Sequence, residues 1–179
     1  MLNHKITKVI ATLAVLIFMA ACSAKEVANQ GVDQLGIKNL NNPAENIYSS
    51  GQPTKKQLES LAKLGVKNIV NLRPAKELNW DEAAFVSSLG MQYHLIPVDG
   101  AAGINVENAT KLNLLLEKLK VESTLVHCSS SNRVGALIAL EAKFKGGQTV
   151  EEAVELGRGW GLKGLEPLVR EKLANYRPN

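Results

Sequence analysis

The sequence is poor in the residues that build disulfide frameworks and metal sites. Its 179 residues include two cysteines and three histidines, and aromatic residues make up only 4% of the chain. Two cysteines exclude a disulfide-rich scaffold, and the sequence has no Cys-x-x-Cys pair or Cys/His cluster that would indicate structural zinc. The histidines at positions 4, 94 and 127 are well separated, which argues against a dedicated transition-metal site. The roles of the two cysteines therefore become the main question.

The charge and the hydropathy of the chain narrow the class of protein further. Charged residues make up 21% of the sequence, and the mean hydropathy is close to zero. These values exclude a disordered chain and a protein with many membrane spans. A length of 179 residues suits one globular domain with a sizeable core and an appended segment.

The N-terminal segment has the pattern of a secretory signal peptide. Lys5 and Lys8 precede an apolar run over residues 9–21, which is shorter than the ~20 apolar residues that a membrane-spanning helix needs. The run ends in Met-Ala-Ala followed by Cys22, and this ending resembles the bacterial lipobox, in which the cysteine is lipidated. We therefore predict a lipoprotein-type signal peptide over residues 1–21 and a lipid anchor on Cys22.

This pattern predicts that the protein lies in the bacterial cell envelope and faces the periplasm. Ser23, rather than an aspartate, follows the predicted anchor, which favours the outer membrane over the inner one. If cleavage instead falls near Ala24, the protein is soluble and periplasmic. Either cleavage removes Lys5 and Lys8 and lowers the formal net charge from +4 to +2. The basic character that would support nucleic-acid binding is thereby reduced, and we expect no nucleic-acid partner.

The rest of the chain divides into a polar tether over residues 22–45 and a domain over residues 46–179. In the domain, short β-branched segments alternate with segments whose apolar residues recur at helical spacing. This alternation is typical of an α/β fold, with a mostly parallel sheet covered by helices on both faces. The predicted strands are residues 47–49, 66–72, 91–98 and 124–127, and the predicted helices are residues 55–64, 80–89, 106–120, 134–145, 150–156 and 167–176.

One connection between a predicted strand and a predicted helix carries reactive side chains. His127 and Cys128 end the strand, residues 129–132 form a loop, and Arg133 begins the helix. In α/β folds, ligands bind beyond the carboxyl ends of the strands. The backbone N–H groups of such a loop and the helix dipole attract an anion. This positive environment favours the thiolate form of Cys128, and the planar guanidinium of Arg133 suits a phosphate. The candidate anion-binding residues are His127, Ser129, Ser130, Ser131, Asn132 and Arg133.

These residues resemble the dual-specificity and tyrosine phosphatase superfamily, in which a His-Cys…Arg loop binds phosphate. The resemblance extends to Ile-Tyr-Ser-Ser-Gly-Gln-Pro at residues 47–53, to Arg-Pro at residues 73–74 and to Ile-Pro-Val at residues 96–98. These segments are similar to a bacterial branch of small phosphatase-like domains, which are also found fused to metallo-β-lactamase-type hydrolases. The resemblance covers residues 45–176 and implies a parallel sheet of four or five strands flanked by helices.

The resemblance also implies roles for individual residues. Cys128 would be the nucleophile that attacks phosphorus, while Arg133 and the loop amides would hold the phosphate oxygens. The general acid of such phosphatases is an aspartate on an upstream loop, and Asp99 is the aspartate placed to serve, although Asp-Gly is also an ordinary turn signal. Glu107 is the fallback, although an acid early in a helix more often complements the helix dipole. Cysteine-based transfer needs no metal, so we expect no cofactor.

Three features of the sequence, the length of the loop and the residues at two positions, depart from the phosphatase pattern. Residues 129–132 separate the cysteine from the arginine by one residue fewer than in those phosphatases, and this shorter spacing resembles rhodanese-type sulfurtransferases. Ser131 occupies a region where a glycine usually eases the loop's backbone angles. Val134 stands where phosphatases commonly have Ser or Thr, whose hydroxyl helps to expel the thiolate. We therefore expect a phosphocysteine at this site to be hydrolysed slowly.

Three functions remain open from the sequence. The first is cysteine-dependent hydrolysis of phosphate monoesters, of the phosphotyrosine or phosphothreonine type or on a small metabolite. The second is sulfur transfer through a persulfide on Cys128, and the third is non-catalytic anion binding in the envelope. The predicted partners are a phosphorylated or sulfur-bearing anion and, through the lipid anchor, a membrane.

A second group of charged residues surrounds the end of one predicted strand and the start of the next helix. These residues are Arg73, Glu77, Asp81 and Glu82. They could line the site, but acids at a helix start are usually dipole partners.

Overall fold

The sheet is built from short strands in the order β1-β2-β5-β3-β4. The computed structural model describes residues 31–175, and in this part of the chain the sheet has five strands. Strands β2 to β5 pair in parallel, whereas the edge strand β1 is antiparallel to β2. The predicted α/β fold, with a mostly parallel sheet of four or five strands, is confirmed. The strands are β1 Asn41–Ala44, β2 Ile47–Ser50, β3 Asn68–Asn71, β4 Gln92–Leu95 and β5 Thr124–His127.

The chain divides into two units, with the boundary between Leu35 and Gly36. Of the first unit, residues 31–35 are described, and they form a helical turn. The sheet and the helices named here belong to the second unit. Those helices are α1 Lys55–Lys63, α2 Glu82–Ser88, α3 Val106–Leu119, α4 Asn132–Phe144, α5 Val150–Gly159 and α6 Glu166–Asn175, with a short 3-10 helix at Ala75–Glu77.

Most of these helices begin at a side-chain cap that the sequence supplies. Thr54 and Thr149 form capping boxes before α1 and α5, and Asp81 and Asn105 cap α2 and α3. Such side chains accept hydrogen bonds from backbone N–H groups that have no partner within the helix. Helix α4 is different, because it starts at Ser131, whose backbone is left-handed and whose side chain makes no cap bond. This irregular start lies three residues after Cys128.

The central strands β3 and β5 are buried along their whole length, as expected for parallel strands covered on both faces. Because side chains alternate along a strand, Val126 and Cys128 face the large core formed with helices α3 to α6. Leu125 and His127 therefore face the opposite side of the sheet. Because of this alternation, the side chains of His127 and Cys128, two adjacent residues of the predicted site, lie on opposite faces of the sheet.

The largest difference from the sequence interpretation is strand β1. Residues 41–44 lie inside the segment that we predicted as a polar tether, so the sheet begins before residue 46. This strand was not predicted because its sequence is Asn-Asn-Pro-Ala. Such residues are rare in strands, and a proline such as Pro43 is tolerated only at the edge of a sheet. The predicted strand at residues 91–98 is also shorter, since only Gln92–Leu95 pairs in the sheet.

The predicted signal peptide and Cys22 lie outside the described residues. None of the helices within residues 31–175 is both long and apolar enough to cross a membrane.

Candidate active site

Cys128 lies at the carboxyl end of the central strand β5. The register pairs His127 with Ser50 of β2 and Asn71 of β3, so the ends of three parallel strands meet beside the cysteine. The Cys128 side chain is fully buried. The chain then turns through the loop of residues 129–131 into helix α4, which begins at Asn132, one residue before the start at Arg133 that the sequence predicts.

The loop presents backbone donors at the start of helix α4. Within the described residues, the N–H groups of Ser129, Ser130, Asn132 and Arg133 donate to no protein acceptor. Ser129 is exposed, and Ser130 is partly so. Unpaired N–H groups at a helix start attract negative charge. The loop therefore has the donors that an oxyanion requires.

The far side of the loop is held by the connection between α5 and α6. Ser131 has a φ of 65°, and its Oγ donates to the carbonyl oxygen of Trp160 at 2.9 Å. Asn132 Oδ1 accepts from the backbone N–H groups of Lys163 at 2.8 Å and Leu165 at 3.2 Å. These two side chains hold the loop in place. Asn132 can therefore meet an anion through its backbone N–H rather than its amide oxygen.

Arg133 lies between Cys128 and an acidic residue, Glu77, that comes more than fifty positions earlier in the sequence. Its Nη1 and Nη2 donate to the two carboxylate oxygens of Glu77 at 2.9 and 2.6 Å, and Nη1 also donates to the carbonyl oxygen of Val98 at 2.9 Å. Burial alone would lower the pKa of Arg133, but the bonds from Glu77 and the charge of Cys128 outweigh it, so the pKa lies above its ordinary value. The guanidinium is therefore a fixed cation beside the sulfur.

Glu77 is shared between two arginines. Arg73 Nε donates to Glu77 Oε2 at 3.3 Å, and Arg73 Nη2 donates to the Glu77 carbonyl oxygen. The hydrogen bond from Arg133 is the main cause that holds the pKa of Glu77 below its ordinary value of 4.5, and Arg73 adds to it. Glu77 thus stays a carboxylate and orients the charged end of Arg133.

A buried polar network lies behind the cysteine on the other face of the sheet. Glu82 is 1% exposed, and its two oxygens accept from Gln52 Nε2 at 2.6 Å and from Asn71 Nδ2 at 2.7 Å. His127 Nε2 lies 3.4 Å from Glu82 Oε1. Gln52 Oε1 in turn accepts from Arg73 Nη1 at 2.6 Å. His127 Nε2 itself has no hydrogen-bond partner among the described residues, and hydrogen bonds between side chains connect Glu82 to Arg133, after the loop.

Asp99 lies at the rim of this site. Its neighbour Val98 contributes the carbonyl oxygen that Arg133 binds. The Asp99 carboxylate itself is 61% exposed and forms a 2.6 Å ion pair with Lys76. Glu107, the fallback acid, is an exposed residue in the first turn of α3 and pairs with Lys111 at 2.7 Å. The position of Asp99 fits an acid at the mouth of the site better than that of Glu107.

No family model matches the chain. A Beta-lactamase hydrolase-like protein of Xylella fastidiosa strain Temecula1 is 29% identical over 127 residues, which cover 66% of this chain and 28% of the relative. The chain thus matches little more than a quarter of that protein's length.

Solved structures give broader matches. A protein of Shewanella putrefaciens CN-32, provisionally named as a phosphatase (DUF442), is 26% identical with a TM-score of 0.57, covering 82% of this chain and 96% of that one. A protein of Neisseria meningitidis Z2491, also provisionally named as a phosphatase, is 26% identical with a TM-score of 0.59, covering 76% and 97%. The Siw14 catalytic core from S. cerevisiae matches with a TM-score of 0.62 at 19% identity, covering 79% and 86%, and supports the fold.

The domain has a phosphatase-like fold. The predicted resemblance to the dual-specificity and tyrosine phosphatase superfamily is confirmed, and the Xylella relative's name agrees with the predicted link to β-lactamase-type hydrolases. The names of the similar structures support a hydrolase of the phosphatase kind.

The phosphatase-like domain brings most of the predicted site residues together. His127, Cys128, the loop and Arg133 are contiguous, and Asp99 is close through Val98. Sequence reasoning missed Gln52 and Asn71, and it interpreted Glu82 as a helix-dipole residue. Gln52 lies in the Ser-Gly-Gln-Pro segment that carried the resemblance, which was the available signal. Within the described residues, no group of three His, Cys, Asp or Glu side chains could hold a metal ion.

Proposed function

We propose that the domain is a cysteine-dependent phosphatase that hydrolyses phosphate monoesters. The observation that carries the proposal is the position of Arg133, whose charge lies beside Cys128 while Glu77 and Val98 fix its orientation. The loop N–H groups next to it donate to no protein acceptor within the described residues. Together they form an electrostatic cradle for the oxygens of a phosphoryl group.

In the proposed first step, the Cys128 thiolate attacks phosphorus while the bond from phosphorus to the leaving oxygen breaks. The leaving oxygen keeps the electron pair and takes a proton from Asp99. In the second step, water gives a proton to the Asp99 carboxylate and attacks phosphorus. The phosphorus–sulfur bond breaks, the thiolate is restored and inorganic phosphate leaves.

The proposed role of Asp99 requires its ion pair with Lys76 to open. Both side chains are more than half exposed, at 67% for Lys76 and 61% for Asp99, and an exposed pair of this kind is worth about 1 kcal/mol or less. A rotation of the Asp99 side chain away from Lys76 is therefore inexpensive, and it is part of the proposal.

The proposed substrate is a phosphorylated anion, either of the phosphotyrosine or phosphothreonine type or a small metabolite. We also propose that a lipid on Cys22 anchors the domain to the cell envelope, as the sequence predicts. The whole-protein activity of the Xylella relative does not bear on this proposal, since the matched region is a minor part of it.

Sulfur transfer remains a second candidate because of one specific feature. The loop between Cys128 and Arg133 has four residues, and its last turn is made by Ser131 in a left-handed conformation. The backbone amides of this shorter loop form a tighter ring than those of a five-residue loop, and such a ring suits a small persulfide as well as a phosphate. Non-catalytic anion binding is the third possible outcome of the test.

The test compares the full-length chain with the Cys128→Ser variant, using Cys22→Ser as the matched cysteine substitution. An aryl phosphate is the substrate, and released phosphate is measured. The proposal expects release from the parent and from Cys22→Ser, and loss of release in Cys128→Ser. If phosphate release is absent while cyanide accepts sulfur from thiosulfate through Cys128, the sulfurtransferase hypothesis replaces it. Phosphate binding without either turnover supports the non-catalytic alternative.

A further inference from the structure

A cavity of about 590 Å³ lies at the opposite end of the sheet from Cys128. Its lining comes from the turn between β1 and β2, from the last turns of α3 and α4, and from the end of α5. Ile47 lines it at the start of β2, where it pairs with Thr124 at the start of β5, whereas Cys128 follows the other end of β5. The volume lies within the range of roughly 300–1,000 Å³ that is typical of small-molecule sites.

Apolar side chains form much of the cavity wall. Ile138 and Trp160 belong to the hydrophobic core and also line the cavity. Leu156, on α5, lines it as well and is 41% exposed. An apolar group placed against these side chains would be removed from water, which favours binding. The wall therefore suits a ligand with an apolar body.

Two buried oxygen atoms of the wall have no hydrogen-bond partner among the described residues, namely Oε1 of Glu141 and Oε1 of Gln148. The Glu141 side chain is 9% exposed, and its other oxygen accepts from Thr110 Oγ1 at 3.2 Å. The Gln148 N–H donates to the carbonyl oxygen of Ala142 at 3.2 Å, so Gln148 lies beside the turn of α4 that carries Glu141. A buried acceptor without a donor is costly. Carboxylate and amide oxygens accept hydrogen bonds, so the ligand that suits them carries donors.

The charges around the cavity favour a cationic donor over an anion. Its described lining includes three carboxylates and two lysines, namely Glu45, Glu117, Glu141, Lys120 and Lys145. Lys120 donates to Glu117 at 3.2 Å. Lys145 Nζ lies 3.6 Å from Glu141 Oε1 and is 52% exposed, which is too far for a hydrogen bond and leaves the pair screened by water. An ammonium group has three N–H donors and can serve both unpartnered oxygens.

We propose that this cavity binds an apolar primary amine in its ammonium form. The ammonium donates to Glu141 Oε1 and Gln148 Oε1, and the apolar body packs against Trp160 and the aliphatic side chains beside it. This binding site goes beyond the proposed function and does not depend on the chemistry of Cys128, because none of its described lining residues belongs to the Cys128 loop.

The first test compares three ligands of equal chain length on the parent chain. Hexylammonium, hexanol and hexanoate are titrated into the full-length protein, and binding is measured by calorimetry. We expect hexylammonium to bind with a dissociation constant of about 1 mM or lower. Hexanol, which lacks the charge, and hexanoate, which has the opposite charge, should bind at least about tenfold more weakly. Absence of saturable binding, or equal affinity for the three ligands, would overturn the proposal without any variant being needed.

The position of the bound amine is read from tryptophan fluorescence. The sequence has two tryptophans, Trp80 and Trp160, and Trp80 lies elsewhere, against Phe85 and Lys55. Trp80→Phe therefore leaves Trp160 as the reporter in the cavity wall. Its emission should change with hexylammonium over the same concentration range as the calorimetric signal. Calorimetric binding without a change in Trp160 emission would place the amine elsewhere and contradict the proposal.

Three variants test the residues that carry the proposal. Glu141→Gln keeps the shape of the side chain and removes its charge, and it should weaken hexylammonium binding about tenfold. Ala142→Leu leaves both acceptors in place and fills part of the cavity, and it should abolish binding. Glu59→Gln is the matched control, because Glu59 is an exposed carboxylate on α1 that does not line this cavity. Its affinity should equal that of the parent.

Thermal unfolding shows whether each variant is folded, and the two cavity variants support each other if one of them is not. Unchanged affinity in a folded Glu141→Gln or Ala142→Leu would overturn the proposal. Cys128→Ser should bind hexylammonium as the parent does, and loss of binding in that variant would place the amine in the candidate active site instead. Because none of these measurements uses turnover, the amine site and the phosphatase proposal can fail separately.

Discussion

The carboxylate of Glu77 should contribute stability that depends on pH in a defined direction. In Glu77→Gln, the two hydrogen bonds from Arg133 lose their charged acceptor, and Arg73 loses the same partner. The Arg133 side chain is 12% exposed and that of Glu77 is 28% exposed. The burial of this ion pair is therefore intermediate between that of a surface pair and that of a fully buried pair. We expect a loss of about 2 kcal/mol in the free energy of unfolding at neutral pH.

The pH dependence follows from the lowered pKa of Glu77, whose main cause is the hydrogen bond from Arg133. A carboxyl group with a lowered pKa stabilises the folded state at pH values above its ordinary value of 4.5. That contribution is lost as the pH falls through the lower, folded value. The difference between the parent and Glu77→Gln should therefore be constant near neutral pH and should shrink as the pH falls below 4.5.

Urea unfolding at several pH values measures this effect. With an m-value of about 2 kcal/mol per molar, the expected shift of the midpoint at neutral pH is about 1 M. Glu117→Gln is the control, because Glu117 and Lys120 form a 3.2 Å pair whose side chains are 63% and 67% exposed, and its loss should cost less than about 0.5 kcal/mol. A midpoint that does not move at neutral pH, or a difference that persists unchanged in acid, would refute this account of Glu77.

Two further predictions concern the packing behind the loop and the N-terminal cysteine. A Cβ at Gly135 would overlap the backbone of Gly157 and Leu162, whereas one at Gly159 would meet open space. Gly135→Ala should therefore lower the free energy of unfolding by more than about 2 kcal/mol, and Gly159→Ala should leave it almost unchanged. Thermal unfolding of both variants measures the difference. Equal effects of the two substitutions would contradict the close contact between α4 and α5. In bacterial cells, labelled palmitate should be incorporated into the parent but not into Cys22→Ala, and an unlabelled parent would end the lipid-anchor proposal.

The Cys128 loop could be predicted from the sequence because its chemistry is local. A strand that ends in His-Cys, a short polar loop and an arginine at a helix start are all contiguous in the chain. The helix caps at Thr54, Asp81 and Thr149 are local for the same reason. Structure confirmed the expected position of this loop at the carboxyl end of a central strand.

Glu82 could not be predicted because its surroundings come from distant parts of the chain. At the level of sequence, an acid after the capping residue Asp81 has a sufficient explanation in the helix dipole. Its burial depends on Gln52, Asn71 and His127. These residues are far apart in the sequence, and only the fold brings them together around Glu82. The same holds for the pairing of Glu77 with Arg133.

Strand β1 escaped prediction for a different reason. Its residues have low strand propensity, and its pairing with β2 contains an irregular register between Asn41 and Ala44. An edge strand of this kind is specified by its partner rather than by its own pattern. The boundary between tether and domain was therefore placed too late.

Direct detection of a phosphocysteine would test the central claim most closely. Val134 follows Arg133 and has no hydroxyl to assist release of the thiolate, so the intermediate is expected to persist long enough to be trapped. The full-length chain is mixed with an aryl phosphate, quenched in acid and examined by mass spectrometry, with Cys128→Ser as the control. The account predicts a phosphoryl group on Cys128 of the parent. Phosphate release without this adduct, and at the same rate in Cys128→Ser, would contradict it.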